Sequence, residues 1–463
     1  MSYETFVAGK LSRVPPTGLR EVPPVISNLF PFQRDVVGWA LKRGRCAIFA
    51  DTGLGKTRMQ LEWAHHVTAH TNRPTLILAP LAVGEQTARE GEAIGVNVTV
   101  CREACDISEG VNITNYDRLH KFDPSAFGAV VLDESSIIKH HTAKTLQVLL
   151  EAFRETQFKL CATATPSPND YTELGTHAEF LGICTRTEML AEFFCHDGGE
   201  TQVWRLKGHA RAEFWRWVAT WGAMIRKPSD LGYDDDGYDL PPLIVEQHIL
   251  PADAETVKAS GFLFAQPAGD LTERRNARRA SLSARVSACA ERVNADSETW
   301  VVWCDLNDES DALQRAIPGS VEIRGSLDTD EKERRLVDFA EGRTRVLISK
   351  ASMTGFGLNW QHAARMAFVG VTDSWEAYYQ AVRREYRFGQ TRPVHVHIYA
   401  SEVEGSVVAN LQRKEKDAQK MAEELTAETR EAMRAEINGT VRTTNAYGTR
   451  AIRVPEWLVS EVA

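Results

Sequence analysis

The sequence contains no apolar run long enough to span a bilayer. Its longest apolar runs, such as Pro74–Leu81 and Ala129–Leu132, fall far short of the roughly 20 residues that a membrane helix needs. Residues 1–30 also lack the apolar core of a secretory signal. We therefore expect a protein without a membrane partner that works in the cytosol.

Cysteine is sparse and is not spaced for metal binding. The eight cysteines are scattered along the chain. Cys101 and Cys105 have no second Cys or His pair nearby, and Cys184, Cys195 and His196 do not have the spacing of a zinc ribbon or finger. Reduced cytosolic thiols are therefore the favoured interpretation of these residues.

An excess of basic residues is also missing. The chain has 54 Lys and Arg against 63 Asp and Glu, a net charge of -9. Any nucleic-acid partner must therefore contact a local basic surface on an otherwise acidic protein.

The hydrophobic content of 43% and charged content of 25% are those of globular proteins. A chain of 463 residues suggests about two to four domains.

Short apolar strands alternate with helical stretches in two blocks, which predicts parallel sheets covered by helices. Residues 1–28 are a Pro-rich lead-in, residues 29–180 form the first block, and residues 244–400 form the second. The predicted strands of the first block are Cys46–Ala50, Thr75–Ala79, Asn97–Cys101, Ala129–Leu132 and Phe158–Ala162. Those of the second are Ile244–Leu250, Thr299–Cys304, Ser320–Ile323, Arg345–Ser349, Met366–Val369 and His395–Ile398.

Residues 181–243 and 401–463 do not follow this alternation. The first segment is predicted to be a helical insertion that ends in a linker at Pro241-Pro242. Its four tryptophans indicate a small helical core more than a surface that stacks on nucleic acid. The second segment is predicted to be a C-terminal helical brace over residues 404–437 with a tail. The four tryptophans are Trp204, Trp215, Trp217 and Trp221.

A phosphate-binding loop follows the first predicted strand. The run Ala50–Thr57 (ADTGLGKT) lies between that strand and a helical stretch. Gly53 and Gly55 allow backbone N–H groups to face phosphate oxygens, and the helix N-terminus adds its positive end. In such loops the lysine, here Lys56, binds the β- and γ-phosphates, and the hydroxyl of Thr57 is a ligand for Mg²⁺. A Gly-rich turn with an accidental Lys-Thr pair is the weaker alternative.

Two adjacent acids, Asp133 and Glu134, end the buried run Ala129–Leu132. In an open α/β sheet, ligands bind at this carboxyl edge. We expect Asp133 to help hold Mg²⁺ and Glu134 to orient and deprotonate the attacking water. By itself the pair is equally typical of an acidic helix N-terminus, but the phosphate loop upstream favours the catalytic interpretation.

Two arginines in the second block, Arg384 and Arg387, are three residues apart. This spacing predicts one face of a helix, from which both guanidinium groups can reach a γ-phosphate across an interface. Alone, such a run is more typical of a solvated basic face. Arg275, Arg278 and Arg279 form another predicted helical face. This face fits phosphate binding as well as it fits a solvated surface or interlobe salt bridges.

Taken in order, these motifs resemble those of superfamily 2 helicase-like ATPases, most closely the Swi/Snf-type DNA translocases. The resemblance covers roughly residues 29–400. It implies an α/β fold of two RecA-like parallel-sheet lobes, a P-loop NTPase, with a helical insertion and a C-terminal helical brace. The nucleotide-binding set that it implies is Gln33 (reading adenine), Gly53, Gly55, Lys56, Thr57, Asp133 and Gly357, with Thr57 and Asp133 on the metal and Lys56, Glu134, Arg384 and Arg387 as catalytic residues.

The resemblance also implies coupling and nucleic-acid contacts. Leu240-Pro241-Pro242 resembles the join between the lobes of Swi/Snf-type proteins. In contrast to the family, Ser135 and Ser136 replace Ala-His, and Tyr386 replaces a common His. The coupling residues would be Thr163, Thr165 and Gln380, and the nucleic-acid contacts Pro80, Thr114, Arg324, Gly325 and Asn359, together with the patch at Arg275, Arg278 and Arg279.

The implied function is an ATP-dependent and Mg²⁺-dependent motor that moves along nucleic acid, with duplex DNA as the expected partner. A strand-separating DNA or RNA helicase is one alternative. An ATP-switched nucleic-acid-binding module, or the motor subunit of a larger complex, is another. The compact chain resembles bacterial or phage members, which implies a bacterial or phage-infected cytosol.

Overall fold

The computed structural model describes residues 15–25, 28–81, 83–139, 144–167, 170–197, 200–250, 281–351, 359–370, 374–401 and 405–437. Two separate parallel sheets organise this part of the chain, so the predicted α/β fold of two parallel-sheet lobes is confirmed. We call the first sheet with its helices the first lobe, and the second sheet with its helices the second lobe. None of the helices in the described ranges has the length and apolar character of a membrane span.

The sheet of the first lobe has seven strands in the order β3-β4-β2-β5-β6-β1-β9. Strands β1, β2, β5 and β6 are almost wholly buried, which explains their nearly continuous apolar sequences. The strands are β1 (Arg45–Ala50), β2 (Thr75–Ala79), β3 (Val98–Val100), β4 (Val111–Asn115), β5 (Ala129–Asp133), β6 (Phe158–Thr163) and β9 (Gly222–Ile225).

The helices of the first lobe connect and cover these strands. They are α1 (Pro31–Arg43), α2 (Lys56–Thr71), α3 (Gly84–Ala93), α4 (Lys144–Ala152), α5 (Leu174–Leu181), α6 (Arg186–Phe193) and α7 (Arg211–Ala219). The lead-in also packs here, since Thr17, Gly18 and Leu19 donate backbone hydrogen bonds to the last turn of α1.

Residues 181–243, which were predicted to be a helical insertion, also contribute strands. Their last strand, β9, pairs in parallel with β1 and completes the first sheet. An antiparallel hairpin, β7 (Phe194–Asp197) and β8 (Glu200–Leu206), lies between α6 and α7. The predicted tryptophan core is part of the first lobe, because Trp215 and Trp221 are fully buried in it. β9 has only four residues, too few for its periodicity to be recognised beside the tryptophan helix.

The sheet of the second lobe has six strands in the order β10-β15-β14-β11-β13-β12. They are β10 (Leu243–Leu250), β11 (Trp300–Cys304), β12 (Val321–Ile323), β13 (Val346–Lys350), β14 (Arg365–Phe368) and β15 (Val394–Ser401). Its helices are α8 (Leu282–Asn294), α9 (Asn307–Ala316), α10 (Thr329–Ala340) and α11 (Trp375–Val382).

The C-terminal helix α12 (Gly405–Ile437) returns to the first lobe, as expected of a brace. Met433 is fully buried in the core of the first lobe. Arg430 pairs with Asp230 at 3.0 Å, and Arg434 donates to the backbone oxygen atoms of Ser229 and Asp230. The last helix of the described residues therefore stabilises the first lobe, although it follows the second.

Candidate active site between the two lobes

The phosphate loop connects β1 to α2, as predicted. Gly53 and Gly55 both have left-handed backbone conformations, with φ of 92° and 79°. A Cβ atom on Gly55 would lie 2.3 Å from Nε2 of Gln33, and one on Gly53 would lie 2.8 Å from Cβ of Phe388 in the second lobe. Both the torsions and the close contacts therefore require glycine at these two positions.

Gln33 holds the phosphate loop from α1. Its Nε2 donates to the backbone oxygen of Leu54 at 2.8 Å, and its Oε1 accepts from the backbone N–H of Phe30 at 2.9 Å. The side chain is buried. The amide thus fixes the shape of the loop, and its predicted contact with adenine stays a prediction.

Lys56 lies inside the loop at the start of α2. Its Nζ donates to the backbone oxygen of Ala50 at 2.8 Å and to that of Asp51 at 3.4 Å. Burial lowers the pKa of Lys56, and the carboxylates of Glu134 and Asp51 oppose this effect. Thr57 is the next residue of α2, so an ammonium, a hydroxyl and the positive end of a helix are present at one place.

The two predicted acids lie at the carboxyl end of β5, beside the loop. Oδ1 of Asp133 accepts from Nε2 of Gln60 at 2.8 Å. Burial, with the neighbouring Glu134, raises the pKa of Asp133 to about 6. Glu134 has a left-handed backbone with φ of 51°. This conformation is costly for a residue other than glycine and persists only where the surrounding structure imposes it.

The predicted coupling residues lie on either side of the acids. Oγ1 of Thr163, at the end of β6, donates to Oε2 of Glu134 at 3.2 Å. Oγ1 of Thr163 also accepts from the backbone N–H of Thr165 at 3.1 Å. Gln380 lies in α11 of the second lobe. A chain of two contacts therefore joins Glu134 to the 163–165 turn, while the coupling role itself stays a prediction.

Arg384 and Arg387 do not lie on a helix, contrary to the prediction from their spacing. Helix α11 ends at Val382, and the chain continues in turns. The backbone oxygen of Arg384 accepts from the N–H of Trp360 at 2.9 Å. Nε2 of Gln390 donates to the backbone oxygen atoms of Gln361, Ala363 and Glu385. Local backbone hydrogen bonds continue as far as Tyr386, and the tertiary hydrogen bonds hold the segment that follows α11 as turns.

The turns nevertheless bring both arginines to the acids of the first lobe. Arg384 is buried, and burial lowers its pKa while Glu134 and Asp133 oppose the shift. Burial lowers the pKa of Arg387 to about 10, with Arg384 adding to the effect and Glu134 opposing it. In the closed arrangement of the two lobes, these guanidinium groups and carboxylates thus line one site.

The sequence did not identify a second link across this site. The hydroxyl of Tyr379 donates to Oδ1 of Asp51 at 2.6 Å, and Nη2 of Arg383 lies 3.7 Å from Oδ2 of the same residue. Although burial opposes it, Arg383 holds the pKa of Asp51 below its usual value, with help from Tyr379. The adjacency of Asp51 to the phosphate loop, and of Arg383 to the two arginines, was the available signal.

The described residues that were predicted to contact nucleic acid belong to both lobes. Pro80 follows β2, and Thr114 lies in β4 with its hydroxyl buried. Arg324 is held by carboxylates, at 2.5 Å from Asp311 and also in contact with Glu322. Gly325 is exposed, and the backbone N–H of Asn359 donates to Oε1 of Gln86 in the first lobe at 3.1 Å. The predicted nucleic-acid contacts Arg275, Arg278 and Arg279, and the predicted nucleotide-binding residue Gly357, lie outside the described residues.

Comparison with known families matches two regions of the chain. Residues 32–194 match the SNF2-related domain, and residues 287–389 match the helicase conserved C-terminal domain. These two regions contain the phosphate loop, both acids and both arginines.

Three curated proteins are similar to parts of the chain. The SWI/SNF-related matrix-associated actin-dependent regulator of chromatin subfamily A-like protein 1 of Xenopus tropicalis is 29% identical over 175 residues, which are 35% of this chain and 18% of that protein. Its Xenopus laevis counterpart is 29% identical over 163 residues, 33% and 17% of the two chains. The mouse DNA annealing helicase and endonuclease ZRANB3 is 27% identical over 173 residues, 34% and 16%. The matched region thus spans less than a fifth of each of these relatives.

A solved structure is also similar at the level of fold. It is the Sulfolobus solfataricus SWI2/SNF2 ATPase core in complex with dsDNA. The match has a TM-score of 0.40 and 17% identity, and covers 89% of this chain and 99% of that one.

Proposed function

Because the chain belongs to the Swi/Snf-type ATPases of helicase superfamily 2, we propose that it is a motor that hydrolyses ATP to move along nucleic acid, with duplex DNA as its track. The observation that carries this proposal is the composite site between the lobes. Tyr379 and Arg383, beside Arg384 and Arg387 in the second lobe, contact Asp51 at the phosphate loop of the first. A site built from both lobes makes hydrolysis depend on lobe closure, which a motor requires.

The residues of the site fit a nucleoside triphosphate. The left-handed backbone at the two loop glycines is the kind that turns backbone N–H groups toward phosphate oxygens, and Lys56 in the same loop offers an ammonium. Thr57 and Asp133 supply the oxygen ligands that Mg²⁺ prefers, and a bound Mg²⁺ would neutralise phosphate charge. Glu134, held by Thr163, is placed to orient the attacking water and accept its proton.

The two arginines complete this assignment from the other lobe. Guanidinium groups that approach a transferring phosphoryl group stabilise the charge that develops in the transition state. Arg384 is buried and Arg387 is half-buried, so their electrostatic effect is larger than it would be in water. Closing on ATP and opening after hydrolysis would then shift one lobe against the other by a step along the track.

Duplex DNA is proposed as the track because one similar protein is named a DNA annealing helicase and endonuclease and the others are chromatin regulators by name. Backbone contacts that span both lobes would give weak sequence preference and strong salt dependence. Because the chain is acidic overall, the phosphate contacts must be local. The location in a bacterial or phage-infected cytosol belongs to the same proposal.

The first test measures steady-state ATP hydrolysis with no nucleic acid, duplex DNA, single-stranded DNA and RNA. We expect stimulation by duplex DNA and its loss in Lys56→Ala and Glu134→Gln. Arg384→Lys and Arg387→Lys should each reduce kcat by about 10³-fold or more. Arg392→Ala is the matched control, because its exposed guanidinium pairs with Glu298 outside the cleft. Full activity in both cleft variants would refute the composite site.

A second test separates the motor from its alternatives. A motor on duplex DNA should displace a third strand from a triplex without separating the duplex itself. Release of a labelled strand from a simple duplex would instead support the strand-separating helicase. Stimulation by single strands or RNA alone would point to the same alternative, and hydrolysis of a single ATP per binding event would support the switch. Activity only with an added protein would indicate a subunit of a larger complex.

A further inference from the structure

We propose that Glu246, His248 and His397 form a binding site for a divalent transition-metal ion of the Zn²⁺ class on the outer edge of the second lobe. The residues lie on the two neighbouring strands β10 and β15. This site is separate from the proposed ATPase cleft, and neither the predicted motifs nor the relatives assign it a role.

The register of the sheet brings the three side chains together. Glu246 and His397 are direct partners in the parallel pair of β10 and β15, and His248 follows two residues later on the same strand. Because side chains alternate between the faces of a strand, all three lie on the face that α8 covers. The strand pairing therefore brings the three side chains together on one face of the sheet.

The distances between the ligand atoms fit a metal ion. Nε2 of His248 and Nδ1 of His397 are 3.2 Å apart. Oε2 of Glu246 lies 3.5 Å from Nδ1 of His397 and 3.9 Å from Nε2 of His248. A circle through three points with these separations has a radius of about 2.1 Å, which matches Zn–N and Zn–O bonds of about 2.0–2.2 Å. One ion can therefore contact all three atoms without rearrangement of the backbone.

The surroundings of the cluster are suited to holding the ligands in place. His397 is 1% exposed, so the packing around its ring restricts the position of the imidazole. The ring of Tyr399 stacks on His248 at 4.7 Å, and the 43% exposed side chain of Glu246 leaves an opening for an ion and a water ligand.

One positive charge opposes the site. Arg292 of α8 interacts electrostatically with both histidines, and its guanidinium would repel a cation there. The exposed residues of β10, Ile244, Val245 and Ile249, show that this strand has little packing on its outer side. A metal ion shared by β10 and β15 would attach the edge strand to the sheet, and we therefore assign the site a structural role.

The test is titration of the metal-stripped full chain with Zn²⁺, read by calorimetry, and with Co²⁺, read by the visible absorption of its tetrahedral complex. We expect one ion per chain and a rise in the melting temperature with Zn²⁺. Glu246→Gln and His248→Gln should each weaken binding by about 100-fold or more. His395→Gln is the matched control, because its ring lies on the same face at 6.3 Å from His397 but outside the triangle.

Arg292→Gln provides an independent test, because it should change the affinity for Zn²⁺ in the opposite direction. Removing this charge should strengthen Zn²⁺ binding, whereas it should not alter binding at an unrelated place such as the exposed thiol of Cys105. Equal affinity in wild type, Glu246→Gln and His248→Gln, or the lack of a stoichiometric site in wild type, would overturn the proposal and leave a hydrogen-bonded polar cluster. Glu246→Gln alters an exposed side chain, so the comparison stands even if the His248 variant folds poorly.

Discussion

The buried ion pair between Arg285 and Glu309 provides a stringent test of the second lobe. Both side chains are fully buried, and Nη1 of Arg285 lies 2.8 Å from Oε1 of Glu309. Nε of Arg285 donates to Ser281 at 2.9 Å, and Oε2 of Glu309 accepts from the N–H groups of Asp305 and Leu306. The perturbation is Arg285→Met, which leaves the carboxylate of Glu309 buried without its counter-charge.

The expected cost follows from this geometry. Removing one partner of a fully buried pair lowers the free energy of unfolding by about 3–5 kcal/mol. In the double variant Arg285→Met/Glu309→Gln the buried charge is gone, while an amide oxygen still accepts from the two N–H groups. We therefore expect the double variant to recover about 1–3 kcal/mol relative to the single one.

Hydrogen exchange measured by mass spectrometry reads the second lobe separately from the first. Amide groups in β11 and β14 should exchange between about 10² and 10⁴ times faster in Arg285→Met. Arg334→Met is the matched control, because that arginine is 62% exposed and solvent screens its ion pairs with Glu331 and Asp338, which should therefore contribute little to stability. Similar exchange in the two variants, or a double variant worse than the single one, would refute the reasoning.

Three further predictions concern the first lobe and its contact with the second. Burial lowers the pKa of His177 to about 4, so on acidification the unfolded chain binds a proton before the folded chain does. The free energy of unfolding of wild type should therefore fall by up to about 3 kcal/mol between pH 6.5 and pH 4. Urea unfolding of His177→Phe should lack this contribution. Burial lowers the pKa of Lys159 to about 8, so the unfolding free energy of wild type should rise from pH 8 to 10 while that of Lys159→Met stays flat over this range; parallel slopes would contradict this. Tyr379→Phe removes the hydrogen bond to Asp51 and should shift the lobes toward the open state by about 10- to 100-fold, seen as a larger radius of gyration in X-ray scattering; an unchanged profile would exclude a closing role for Tyr379.

The fold was predictable where each strand is long, apolar and buried. Strands such as β1 and β5 are recognisable from their runs of apolar residues, and the phosphate loop lies where a strand must turn into a helix. β9 was missed because it has four residues and follows a helix rich in tryptophan. Its place beside β1 depends on pairing with a strand far away in sequence, and local patterns do not encode such pairing.

The helix predicted for Arg384 and Arg387 was wrong for a related reason. A spacing of three residues is compatible with one helical face, but Gly389 and the side chain of Gln390 organise this segment as turns. The hydrogen bonds of Gln390 reach back to residues 361 and 363. Propensity is a weak guide where tertiary hydrogen bonds of this kind decide the local backbone.

The sequence by itself determined which chemical groups this protein has and in what order, because a phosphate loop, a pair of acids at a strand end and an arginine motif are each local patterns. The tertiary structure decided which of them meet. Asp51 contacts Tyr379 and Arg383 across the lobes, and Glu246 reaches His397 across two paired strands. The partners in each of these contacts are more than 100 residues apart, and only the packing of sheets and lobes brings them within a few ångströms.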